Sequence, residues 1–277
     1  MTQAEASSLP HLIDPDSLAA LPRTSGVYIF KGEGTLPLYI GKSVDIRSRV
    51  LAHLRAEDEV EMIAQSRRVD FIETAGEIGA LLLEARLIKQ QSPLFNIRLR
   101  RLRNLCSIRL AEQDGVVTPE ILSGKAVAVG QADDLYGLFS SVHSAQSKLR
   151  ELADQHRLCL GLLGLEKISK RGCFGLQVKT CLGACVGAED RWEHDQRLFS
   201  ALVDMKVQAW PFPGAVDLVE QSGDWVQRHR IRDWRYMGTW CSRANELSTH
   251  EQLGFDLDTY KILVKPIMMG TATVELV

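Results

Sequence analysis

The sequence predicts an α+β protein: a small antiparallel sheet flanked by helices over residues 21–105, followed by a Cys-cluster segment and a second α+β region. Three observations predict it. Gly26–Phe30 and Leu38–Ile40 alternate side-chain types on either side of a Gly/Pro-containing connection, the pattern of a β-hairpin. Two apolar stripes at helical spacing follow before Pro93. Beyond them, four cysteines are grouped between positions 159 and 185.

The elements follow in chain order. Residues 1–20 are polar, carry Pro10 and Pro15, and read as an N-terminal lead-in. In the hairpin, strand parity sets Tyr28 and Phe30 against Val27 and Ile29, and Tyr39 against Leu38 and Ile40. Both tyrosines therefore point away from the aliphatic residues and can meet on one surface. Ser43 is expected to cap a short helix with Ile46, Val50 and Leu54 as its buried stripe, which places Arg49 and His53 together on a neighbouring face. A strand is expected at 69–73. Thr74-Ala-Gly-Glu77 has the form of a capping box, and Ile78, Leu81, Leu82, Ala85 and Ile88 predict a helix ending at Pro93. Glu84 lies at the flank of that stripe, where a carboxylate reaches a cleft. Residues 106–277 are expected to form one C-terminal domain, with strands near 107–110 and 126–129, a helix from 141 to 158 and a hairpin pairing 215–220 with 225–231.

Composition bounds the function. A chain of 277 residues suits two domains, and 45% hydrophobic residues without a low-complexity tract exclude global disorder. No stretch approaches the ~20 apolar residues of a membrane span, and the first residues lack a secretory pattern, so a soluble cytoplasmic protein without a membrane partner is expected. The net charge of −2 argues mildly against nucleic acid as a partner, yet residues 20–105 hold 14 basic against 10 acidic side chains. The basic excess lies where the motifs lie.

Those motifs are Gly26-Val-Tyr28, then Tyr39-Ile-Gly41-Lys42, then Arg49, Glu84 and finally Asn96 in Ser92-Pro-Leu-Phe-Asn96. In this order and at these separations, over about residues 22–105, the chain resembles the GIY-YIG nuclease family and within it the UvrC/Cho excinucleases. The residues carry a physical reading of their own. Hydrolysing a phosphodiester needs an activated water, cations against the non-bridging oxygens and stabilisation of the departing oxygen. A single carboxylate, Glu84, points to one divalent cation, Mg²⁺ or Mn²⁺, rather than a two-metal clamp. Cations such as Lys42 and a bound metal would favour an ionised Tyr28. The resemblance implies that Tyr28 relays a proton from the attacking water, that Tyr39 and Arg49 hold the scissile phosphate, that Lys42 supports the charge balance and that Asn96 positions its neighbours. His53 stands where UvrC-like sequences often have tyrosine. Taken singly, Glu84 would be a solvated helix residue, the tyrosines packing residues and the two cations surface charge; the joint spacing outweighs these readings. Arg98, Arg100, Arg101 and Arg103 follow directly, either as DNA-phosphate contacts or as a solvated basic edge.

Cys159, Cys173, Cys181 and Cys185 are separated by 13, 7 and 3 residues, with Cys106 and Cys241 apart. Cytosolic thiols grouped this way point to a metal site, either zinc or an iron–sulfur cluster, and buried free thiols are the remaining reading. Cys181 and Cys185 are expected to face one way on a helical turn. The set resembles the cluster that follows the nuclease domain in UvrC, which implies a [4Fe–4S] cluster, with Zn²⁺ as the alternative. Lys170, Arg171 and Lys179, in the same loop, either meet DNA or balance thiolate charge.

What the resemblance implies is an excision-repair endonuclease making one incision on the 3′ side of a lesion in double-stranded damaged DNA handed over by UvrA and UvrB. The chain is too short for the second nuclease domain and helix-hairpin-helix tail of full UvrC, so a 5′ incision is not expected. Two rivals stand beside it. A UvrB-independent GIY-YIG enzyme acting on branched or foreign DNA would cut without UvrB. A non-catalytic DNA- or UvrB-binding platform would show no metal-dependent cleavage.

Overall fold

The computed structural model describes residues 11–96, 105–113, 116–130, 132, 134–244, 246–249 and 255–277. It divides into two compact units, one formed by residues 1–102 with 212–277 and the other by 103–211.

The first stretch runs α1 (Pro15–Ala19), β1 (Gly26–Lys31), β2 (Pro37–Ser43), α2 (Ile46–His53), α3 (Val60–Gln65), β3 (Arg68–Glu73) and α4 (Glu77–Gln91). The three strands form an antiparallel sheet in the order β2-β1-β3. Central β1 is buried on both faces, which explains its unbroken apolar run. One face carries Tyr28 and Phe30 against Ile46, Val50, Leu54, Met62 and Ile63 of the α2–α3 side. The other carries Val27, Ile29 and Ile40 against Leu87 and Ile88 of α4. The sheet is thus enclosed between two helical layers, and the alternation that predicts the hairpin sorts its side chains between them.

Two caps differ from expectation. The α2 cap is Asp45, whose Oδ1 accepts the Ser48 N–H at 2.8 Å, while Ser43 ends β2 and hydrogen-bonds Asp45. At α4 the expected Thr74–Glu77 box does not form: the N-cap is Gly76, without a side-chain cap of its own, and the Thr74 hydroxyl donates to the Gly76 carbonyl.

The second unit contains β4 (Cys106–Gln113), β5 (Val116–Ser123), β6 (Leu135–Phe139), α5 (Val142–His156), α6 (Phe174–Gln177) and α7 (Arg191–Leu202). Its sheet, in the order β5-β4-β6, packs Ile108 against Ala145 and Leu149 of α5 and Leu198 and Leu202 of α7. No strand forms at 126–129, where the 3₁₀ turn Gly124–Ala126 ends and Val129 makes only an isolated bridge with Ala132; the strand lies earlier, at β5. Pro119 hides β5 in the sequence. Proline is confined within sheets to positions such as edge strands, and β5 is an edge strand.

The chain then returns to the first unit through β7 (Val216–Ser222), β8 (Trp225–Arg232), β9 (Arg235–Cys241), β10 (Glu246–Thr249), α8 (Leu257–Met268) and β11 (Thr273–Leu276), an antiparallel sheet ordered β10-β9-β8-β7-β11 with one helix. This differs from a single domain over 106–277, and the physical reason is a set of bonds to α4 and its approach. Glu220 accepts the Ile78 and Gly79 N–H groups at 2.8 and 2.7 Å, Gln227 accepts the Ala75 N–H at 2.8 Å, and Lys89 pairs with Asp256 and Asp258 at 2.6 and 2.8 Å. Among the described residues, no helix is long and apolar enough to cross a membrane.

Candidate active site and cysteine cluster

The strand register assembles the aromatic part of the site. Tyr28 pairs with Gly41 and Phe30 with Tyr39 across β1 and β2, so Tyr28, Phe30 and Tyr39 share one face. The Tyr28 and Tyr39 ring centroids lie 6.2 Å apart, and each ring is within 5.5 Å of the His53 imidazole. Both glycines of the two strands are demanded by close approach. A β-carbon at Gly41 would overlap the Tyr28 hydroxyl, and one at Gly26 would overlap the Ile72 carbonyl on β3.

Helix α2 supplies Arg49, which is exposed, and His53, which is buried, one turn apart. The Tyr28 hydroxyl lies 2.7 Å from His53 Nε2, and His53 Nδ1 contacts the Glu59 carboxylate from the 3₁₀ turn Glu57–Glu59 that follows the helix. Burial pushes the Tyr28 pKa well above the ordinary phenol range, reinforced by neighbouring Tyr39 and only partly offset by Arg49. Burial raises Tyr39 as well, followed by the charges of Glu84 and Glu59. For His53, burial is the largest influence and lowers the pKa, with Glu59 opposing it.

Helix α4 supplies Glu84, whose Oε1 accepts the Lys42 backbone N–H at 3.0 Å. Its carboxylate acts electrostatically on both phenols, and burial raises its own pKa against the Lys42 N–H and charge. The Lys42 ammonium, however, is ion-paired with Glu77. The expectation that Lys42 would favour an ionised Tyr28 is therefore corrected: its charge is engaged at the start of α4, and burial dominates at Tyr28. Asn96 joins the site through the backbone. Its amide donates to the Ile40 carbonyl at 2.8 Å and accepts the Ile40 N–H at 2.9 Å, completing the free edge of β2 between Tyr39 and Gly41.

The structure thus brings Tyr28, Tyr39, His53 and Arg49 together, with Glu84 of α4 and Asn96 bonded to the adjoining β2 backbone at Lys42 and Ile40. Arg98, Arg100, Arg101 and Arg103 lie outside the described residues. Sequence reading missed Glu59 and Glu77. Glu77 precedes Glu84 by two helical turns, a spacing that was available as a signal. Glu59 lies beyond the end of α2, where no helical period links it to His53.

In the second unit, the sulfurs of Cys159, Cys173, Cys181 and Cys185 all lie within 4.8 Å of one another, the first three buried and the last half-buried. The N–H groups of Leu176 and Gly183 donate to the Cys173 and Cys181 sulfurs, each at 3.3 Å. Cys181 and Cys185 do not share a helical turn: Cys185 sits in the 3₁₀ turn Ala184–Val186 and Cys181 precedes it, so the loop itself brings them together. Burial pushes Cys159 up to about 11 and raises Cys173 further. At Cys185 the burial penalty is outweighed by the Cys173 backbone N–H and the neighbouring thiols, and the pKa is lowered. Four soft donors converging on one point, three of them buried, are a suitable set for a thiophilic cation.

Comparison with known proteins agrees over most of the chain. Residues 24–97 match the family model of a UvrC-like GIY-YIG domain, 105–204 that of the UvrC/Cho excinuclease middle domain, and 215–277 that of the excinuclease Cho C-terminal domain. Excinuclease cho of Shigella flexneri is 50% identical over 254 residues, covering 90% of this chain and 84% of that protein. UvrABC system protein C of Deinococcus radiodurans is 31% identical over 229 residues, covering 79% of this chain and 35% of that protein. Among solved structures, the magnesium-bound GIY-YIG N-terminal endonuclease domain of Thermotoga maritima UvrC is 32% identical, covering 29% of this chain and 92% of that one at a TM-score of 0.27.

Proposed function

Because the chain belongs to the UvrC/Cho excinuclease family and is a metal-dependent DNA endonuclease of excision repair, we propose that it makes the incision on the 3′ side of a lesion in duplex DNA presented by UvrB after UvrA has acted, in the cytoplasm. The observation that carries the reading is the convergence of Tyr28, Tyr39, His53 and Arg49 on one face, with Glu84 acting on both phenols.

Each residue has a role that fits its placement. Tyr28 accepts a proton from the attacking water, with His53 at its hydroxyl. Arg49, exposed beside Tyr28, and Tyr39 hold the phosphate. Asn96 keeps β2 in register so that Tyr39 and Gly41 stay in place. Glu84 would hold a divalent cation, Mg²⁺ or Mn²⁺. The fit lies in its charge balance: it is half-buried, burial works against its charge, and the Lys42 ammonium is paired with Glu77. Such an ion supplies positive charge opposite the non-bridging oxygens as charge develops there.

The cysteine cluster is proposed to hold a [4Fe–4S] cluster through Cys159, Cys173, Cys181 and Cys185. Zinc is a second reading with its own support: a Zn–S distance of about 2.3 Å places tetrahedral sulfurs roughly 3.8 Å apart, and the sulfurs here lie within 4.8 Å. Absorption and metal content after anaerobic purification decide between them. A brown protein with iron and sulfide supports the cluster, and a colourless protein with one zinc overturns it.

The nuclease reading is tested with purified protein, UvrA, UvrB, Mg²⁺ and a duplex carrying one lesion. One UvrB-dependent cut 3′ of the lesion is expected, with none in Glu84→Ala. Cutting of undamaged DNA, or equal cutting by the variant, would discard the assignment, and cutting without UvrB would transfer it to a stand-alone nuclease.

A further inference from the structure

His53 makes two hydrogen-bonding contacts that together fix its protonation. Its ring is 2% exposed, Nδ1 meets the Glu59 carboxylate, and Nε2 is 2.7 Å from the Tyr28 hydroxyl. A carboxylate only accepts, so the proton of a neutral ring sits on Nδ1. Nε2 is then the acceptor, and the Tyr28 hydroxyl donates to it. The result is a continuous chain from a phenol through an imidazole to a carboxylate, spanning β1, α2 and the turn after α2.

The chain meets a need set by burial. Tyr28 is 1% exposed and its pKa is pushed up, so a free phenolate is not accessible to serve as a base at neutral pH. A tyrosine in this position accepts a proton only if it passes its own onward in the same step. We propose that Glu59 is a positioning residue for the cleavage reaction, holding the His53 Nδ1–H so that Nε2 is free to take the Tyr28 proton as Tyr28 takes one from the attacking water. This rests on the nuclease reading above.

The step balances as follows. A lone pair of the water oxygen forms the new bond to phosphorus, and one water proton moves to the Tyr28 oxygen. The Tyr28 proton moves to His53 Nε2, giving an imidazolium paired with Glu59. The bond from phosphorus to the departing sugar oxygen breaks, its electron pair leaves with that oxygen, and the oxygen takes a proton from solvent. His53 then returns its extra proton to solvent. The groups that face its ring are Tyr28 and Phe30 from β1, Tyr39 from β2, Arg49 from its own helix, and Asp58 and Glu59 from the 3₁₀ turn.

The test compares wild type, Glu59→Gln, Glu59→Asp, His53→Tyr and the His53→Tyr/Glu59→Gln double variant, measuring kcat and KM against pH on UvrB-bound lesion duplex with Mg²⁺. Glu59→Gln is expected to lower kcat by roughly 10- to 100-fold, with KM unchanged. Its acidic limb moves to lower pH, because the carboxylate that favours protonated His53 is gone. Glu59→Asp recovers part of the rate. In the His53→Tyr background, where no Nδ1–H remains to be held, Glu59→Gln costs less than about twofold, the signature of coupling between the two residues. Nitrogen NMR of His53 in the DNA-free protein reads the Nδ1–H tautomer directly in wild type. An Nε2–H tautomer, an unshifted acidic limb, or the same fractional loss in both backgrounds would overturn the role of Glu59. Failure of the nuclease reading shows separately, as wild-type protein that does not cut or cuts without Glu84, whatever the tautomer.

Discussion

Glu84 is held where its charge is least comfortable: half-buried, with one oxygen on the Lys42 backbone N–H while the Lys42 ammonium is paired with Glu77. Its pKa is raised by burial, so the charged form works against the fold above the ordinary carboxylate value, and that cost disappears as pH falls through the raised pKa. Glu84→Gln keeps the acceptor for the Lys42 N–H while removing the charge. It is expected to melt higher than wild type at pH 7 without added metal, with the gap closing toward pH 4, and to lose roughly 100-fold or more of the cleavage rate. Thermal melts at the two pH values and the incision assay check both halves. At this scale the sequence was legible where spacing is local. Tyr28, Tyr39, Arg49 and His53 follow from strand parity and a single helical turn, and they meet as that geometry requires. Glu59 was not legible because its partner lies across a helix end, and the Lys42–Glu77 pair was not because the sequence offered each residue another role, Lys42 at the phosphate and Glu77 in a cap with Thr74.

Helix α4 carries Glu84 but does not cap itself. Its first free N–H groups go to Glu220 of β7, whose carboxylate also meets His229 Nε2 at 3.0 Å, while His229 Nδ1 is 2.7 Å from the Thr239 hydroxyl. A carboxylate at a helix N-terminus is favoured by the unpaired N–H groups and by the dipole. Glu220→Ala is expected to destabilise the protein by about 1–2 kcal/mol, and to lower the incision rate because Glu84 sits two turns along the same helix. Burial works to raise the Glu220 pKa, but His229 and the Gly79 and Ile78 N–H groups outweigh it, so the folded value lies below the ordinary carboxylate value. Its stabilisation is therefore complete above about pH 4.5 and is lost as pH falls through the depressed value. Melts between pH 6 and 3 should show a shallower acid slope in Glu220→Ala than in wild type, and equal slopes would refute the cap. The expected Thr74–Glu77 box failed here for a plain reason: the true acceptor is 141 residues from Gly79, beyond any local pattern.

At the scale of the molecule, the nuclease sheet and the C-terminal sheet belong to one unit although 109 residues separate their stretches. The α+β character, the hairpins and the cysteine set were readable from local periodicity and spacing. The return of 212–277 to the first unit was not, since it depends on Glu220, Gln227, Asp256 and Asp258 finding partners near α4. A chain ended after Pro211 is expected to lose hydrogen-exchange protection at Ile78 and Gly79 and along α4, while α5 and α7 of the second unit keep theirs. Full protection of α4 in the shortened chain would show that the C-terminal sheet is dispensable.

Synthesis on the ribosome gives this arrangement an order in time. The segment bearing both tyrosines emerges first, yet the residue that steadies the start of its last helix is made 141 positions after Gly79. At about 5–20 residues per second the wait is on the order of ten seconds, and the thiol-rich stretch is translated within it. A DNA-cutting centre that is finished only when the tail arrives has, in effect, a delay written into its gene order of parts.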